Sequence, residues 1–141
     1  MILRCNYEEV EALKGGARAL LDRAPGSAPV VVVAPPESRA RVEALLPRLK
    51  GDLSVSTLAE LRAVHVAVET IVEHLREEME AHVLASHAAD ESAVNAYFAF
   101  AHAFTVASRI RELGEEMEAI VELVTGGSPS AEALRTFRFP D

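Results

Sequence analysis

Between Thr57 and Thr125 the chain contains no proline and one glycine, Gly114. Proline and glycine are the residues that most effectively stop a helix. Nearly half of the 141 residues can therefore form long uninterrupted helices. Apolar spacing says how those helices pack. On the first stretch Leu61, His65, Val68, Val72, Leu75, Met79 and His82 recur at alternating intervals of four and three. On the second, Ala96, Ala99, Ala103, Val106, Ile110, Leu113, Met117, Ile120 and Val124 do the same. This heptad-like pattern packs helices at a shallow angle. A short connection near Ala88–Asp90 makes the two helices antiparallel neighbours. Thr57, with Glu60 at the capping-box position, opens the first, and Asp90 caps the second, which runs to Gly126-Gly127.

The 56 residues ahead of the hairpin read as β-α-β-α-β. Residues 1–6 form a first strand. Asn6 and Glu9 make a capping box for a helix through Val10, Leu13, Ala17, Leu20 and Leu21. Gly15-Gly16 weakens that helix or lets another backbone approach closely. Val30–Val33, four β-branched residues without alternation, suit a strand buried on both faces. Glu37–Lys50 reads as a helix that Pro47 kinks or ends early, with Gly51 as its cap. Leu53–Val55 is the third short strand. Strands joined by helices predict an α/β fold: a small three-stranded, parallel βαβαβ unit with right-handed crossovers, then the hairpin. Ser128 as N-cap and Pro129 at N1 open a short C-terminal helix. The tail from Thr136 is extended, and the alternating Arg135, Phe137, Arg138 and Phe139 suit docking on the chain's own sheet in preference to a partner's groove. The length suits one domain, divided as 1–56, 57–127 and 128–141.

Composition narrows the function classes. A formal net charge of -8 argues against nucleic-acid and anionic-membrane partners. The lone Cys5 forms no internal disulfide and reads as a small buried hydrophobe. With no signal-like N-terminus and no apolar run of about 20 residues, a cytoplasmic protein is expected. Lys14 and Lys50 are the only lysines, and arginine and alanine usage suggests a GC-rich bacterial genome.

The second long helix changes character along its length. Beyond Glu112 its off-seam positions are acidic, at Glu115, Glu116, Glu118 and Glu122. From Asn95 to Ala107 it is apolar nearly all round. Phe98 and Phe100 flank the seam, Tyr97 and Phe104 point away from it, and only His102 and Thr105 interrupt the apolar surface. A helix apolar all round is buried all round, and one partner helix cannot achieve that. Either the small sheet covers Tyr97, Phe98, Phe100 and Phe104, or a second copy does, by pairing hairpins into a four-helix bundle. The hairpin, roughly 45 Å long at 1.5 Å per residue, outreaches three short strands, so a homodimer is favoured. An unidentified protein partner is the other possible occupant.

The sharpest chemical pattern is Glu69, Glu73, His74, Glu77, Glu78, His82, whose spacings of three and four resemble a metal-carrying helix face. His74 and His102 fall at similar heights on the two helices, which makes His74, Glu78, His82 and His102 the candidate metal ligands. The Glu-x-x-His motif of di-metal bundles is missing, however, and His74 projects away from the seam into water. The strand ends offer Asn6, Glu37, Ser38, Ser56 and Thr57 but no glycine-rich phosphate loop. No catalytic residue and no cofactor is implied. The expectation is a non-enzymatic protein-interaction or homo-oligomerisation module; the alternative is a small-ligand- or metal-binding regulatory protein or minor enzyme using the His and Glu residues of the hairpin.

Overall fold

The architecture is a helical layer on a helical hairpin, seen in a computed structural model that describes residues 1–22, 36–86 and 90–140. In chain order the elements are β1 (Ile2–Leu3), α1 (Tyr7–Asp22), α2 (Pro36–Leu45), a 3-10 turn (Leu46–Arg48), β2 (Leu53–Ser54), α3 (Leu58–Ser86), α4 (Glu91–Thr125) and α5 (Ala131–Thr136). α3 and α4 are antiparallel: Arg62 pairs with Glu118 near one end, and Arg76 lies over the Phe100 ring further along. α1 packs on both long helices, while α2 and α5 pack on α3.

The expected parallel βαβαβ unit is not what forms. β1 and β2 make a two-stranded antiparallel sheet in which Ile2 faces Ser54 and Leu3 faces Leu53. The expected strand at Val30–Val33 lies outside the described residues. A two-residue strand carries no periodicity from which direction can be read. Here Met1 and Val55 exchange both backbone hydrogen bonds, which fixes the antiparallel sense. The opposite edge of the same stretch takes the C-terminal tail. Leu58 N–H donates to Phe137 O and Phe139 N–H to Ser56 O, with Thr57 bridged to Arg138. The tail thus docks on the chain's own sheet, with Phe139 buried.

Capping follows the local chemistry. Glu9 N–H donates to Asn6 Oδ1 at 2.8 Å, and Asn6 N–H returns a bond to Glu9 Oε2 at 3.1 Å. Thr57 caps Glu60 N–H at 3.0 Å, but the Glu60 carboxylate goes to Ser56 N–H and Arg48. Asp90 accepts from Ala93 N–H, and Gly126, at φ 74°, closes α4 in the left-handed conformation. Pro47 ends α2 early, in the 3-10 turn. The α5 cap is Ser130, not Ser128, accepting from Ala133 N–H at 3.1 Å.

The core is a helical one. Leu13 and Ala17 of α1, Val42 and Leu45 of α2, and Leu61, Val68, Val72, Val106 and Ile110 of the hairpin are all buried. α1 runs unbroken through Gly15-Gly16. A Cβ on Gly16 would lie 2.7 Å from Ile71 Cγ2 and 3.1 Å from Leu75, so the missing side chain is what brings α1 onto α3. Gly15 faces open space and has no such role.

Candidate functional site

The buried core stops part-way along the hairpin. Its last member on α3 is Leu75, and on α4 it resumes at Ala103, with Ala93 alone buried nearer the turn. Past Leu75, α3 continues eleven residues to Ser86, or about 16 Å at 1.5 Å per residue. Among the described residues, the two helices have little but each other to pack against in this overhang. On α4 alanines carry the seam there, so its apolar volume is concentrated in side chains that point elsewhere.

Those side chains are in the open. Tyr97 is 53% exposed, Phe98 54% and Phe104 44%, and Val83, Leu84 and Val94 are exposed with them. Phe100 is half-buried and packs against the core. The rings touch in two pairs. Tyr97 and Phe98 meet edge to face with centroids 5.7 Å apart, and Phe100 and Phe104 lie tilted at 5.8 Å. The Arg76 guanidinium sits 5.6 Å from the Phe100 centroid, a geometry in which the cation is held by the ring face. Single exposed apolar residues are ordinary, and here several gather toward one end of a helix pair.

Of the four candidate metal ligands, His74 and Glu78 come together as a pair. His74 is buried, contrary to its expected place in water. Ala67, Ile71 and His74, at i, i+4 and i+7, form a buried stripe outside the heptad seam, on a flank that α1 reaches through Gly16 and Ile71. His74 Nε2 lies 3.1 Å from Glu78 Oε1, and His65 Nε2 the same distance from Glu69 Oε1. His82 is exposed in the overhang. His102 lies near enough to Glu9 of α1 to act on its ionisation. Among the described residues no three His, Cys, Asp or Glu side chains form a metal-holding group.

The strongest polar feature was invisible in the sequence because its partners lie a hundred positions apart. Arg109 of α4 grips Glu9 of α1 with both nitrogens, Nη1 to Oε2 at 3.1 Å and Nη2 to Oε1 at 3.0 Å, and Nη1 also donates to Arg4 O at 2.7 Å. Burial would raise the Glu9 pKa, but the Arg109 bond and the Asn6 amide outweigh it and hold the carboxyl below its ordinary value. The same neighbourhood raises the thiol of Cys5, through burial first and then Glu9, which leaves it protonated and a poor nucleophile at neutral pH. Beside the pair runs a groove of about 320 Å³ lined by Ile2, Leu3, Arg4, Arg109, Glu112, Leu113 and Glu116. Arg109 is already engaged by Glu9, so Arg4 faces Glu112 and Glu116 and the lining leans acidic.

Among the described residues no helix is long and apolar enough to cross a membrane. Set against known protein families, curated proteins and solved structures, the chain matches none.

Proposed function

We propose that this chain is a non-enzymatic protein-interaction module whose working surface is the overhanging end of the α3–α4 hairpin. The observation that carries the reading is the exposure of Tyr97 and Phe98, with Val83, Leu84 and Val94, beyond the point where the buried core ends, and of Phe104 where that core begins. Exposed aromatic rings contribute little to folding and favour aggregation, so a chain that displays several together uses them for contact. Their rigidity and large area are also what binding sites select, since few rotamers are lost on docking.

The reading makes a stability prediction that needs no knowledge of the partner. Replacing Tyr97 and Phe98 by serine removes two exposed rings. In dilute solution, where association adds nothing to apparent stability, each change shifts unfolding free energy by no more than about 0.5 kcal/mol. Chemical denaturation of both variants checks this. A loss of about 3 kcal/mol, the cost of deleting a core aromatic, would mean that the rings hold the chain together.

A further inference from the structure

We infer that the occupant of the overhang is a second copy of this chain, related by a two-fold axis passing near Phe104, so that four long helices form a bundle. The inference rests on the reading of the overhang as an interaction surface and names its partner.

The first argument is which side of the hairpin stays open. α1 lies along one flank of α4, held by the Glu9–Arg109 pair and by Gly16 against Ile71 and Leu75. At about 100° per residue, Arg109 points roughly 120° to one side of the Ala103 seam position. On the same wheel Phe104 and Tyr97 point roughly 100° and 120° to the other side. That is the side on which Arg76 of α3 reaches Phe100. The N-terminal helix and the Tyr97 and Phe104 rings thus take different sides of the hairpin, while Phe98 points roughly 140° round on the Arg109 side but about 16 Å nearer the turn, and a second hairpin can approach Tyr97 and Phe104 without displacing α1.

The second argument is area. Three aromatic residues of about 150–250 Å² each, roughly half exposed, offer about 300 Å². Val83, Leu84 and Val94 raise the total to roughly 500 Å². That lies at the upper end of the largest apolar patch on a typical monomer. It is more than half of the roughly 800 Å² that each partner contributes to a standard interface.

The third argument is charge. The chain carries a net charge of -8, yet from Asn95 to Ala107 it has no carboxylate and no Arg or Lys. The one nearby cation shown on the rings, Arg76, is already seated on Phe100. Two acidic copies can therefore meet through this stretch of α4 without placing like charges face to face, with Glu77, Glu78 and Glu80 of α3 and Glu91 of α4 outside it. An anionic lipid surface would find no basic rim.

Sedimentation or light scattering across a wide concentration range tests the inference. The wild-type chain is expected at twice its 15.2 kDa mass. Phe104→Glu weakens the dimer at least about thirtyfold, as loss of an interface anchor does, with helix content by circular dichroism unchanged. Leu123→Glu, at an exposed apolar residue toward the other end of α4, leaves the dimer intact. Should Phe104→Glu lose helicity, Tyr97→Ser carries the same test. A wild-type monomer at every concentration overturns the second copy. If that monomer binds an apolar dye and Phe104→Glu abolishes the binding, the open surface itself still stands. A dimer indifferent to both Phe104→Glu and Tyr97→Ser overturns the second copy at this face and the interaction surface with it.

Discussion

At the scale of single residues, two neighbouring glycines have opposite roles. Gly16 sits where α1 crosses α3, and an added methyl would press on Ile71 and Leu75. Gly16→Ala therefore overpacks the junction and costs about 1–3 kcal/mol. Gly15→Ala meets nothing and gains about 0.5–1 kcal/mol through helix propensity and a less flexible unfolded chain. Urea unfolding of the two variants separates the cases, and a shift of the same sign in both would contradict this packing. The Glu9–Arg109 pair adds a dependence on pH. A carboxyl held below its ordinary value stabilises the fold above the unfolded value of about 4.3, and that contribution fades as pH falls through the lower folded value. Arg109→Met leaves a buried carboxylate without its cation, at about 2–3 kcal/mol near neutrality, discounted because Arg109 is partly exposed. The penalty shrinks on acidification, since protonated Glu9 no longer needs the cation. A penalty unchanged between neutral and strongly acidic conditions would show that Arg109 acts through packing alone.

At the scale of elements, legibility tracked length. The hairpin was legible because seven seam positions on α3 and nine on α4, nearly all apolar, recur at intervals of three and four and leave little alternative. The asymmetry of α4, apolar all round in one half and acidic off-seam in the other, was legible for the same reason. The heptad reading still drifted at the far end of α4. Ile120 and Val124 are exposed, and Val121 is buried in their place. Val121 stands five full turns beyond Ala103 at about 3.6 residues per turn, so the helix keeps its own period and leaves the heptad. The sheet was not legible. Ile2–Leu3 and Leu53–Ser54 are too short to declare a direction, and their pairing is set by where α3 begins and by the tail that takes the other edge. The burial of His74 was also hidden, because it depends on a flank of α3 that the N-terminal helices approach.

At the scale of the whole molecule, the organising fact is a mismatch between hairpin and cover. α4 runs 35 residues, about 52 Å at 1.5 Å per residue, whereas α1 runs 16. Core volume therefore gathers at the base, where α1, α2, the small sheet and the tail all meet the hairpin. At the far end α4 carries alanines on the seam and aromatic rings outside, an inversion of the usual arrangement. The most direct measurement is amide hydrogen exchange along α4 in dilute and concentrated solution. The account predicts fast exchange over residues 91–102 in dilute solution, slow exchange over 103–121, and protection of the first segment as concentration rises. Uniformly slow exchange along the whole helix at every dilution would contradict it, because the end of the hairpin would then be covered within the single chain.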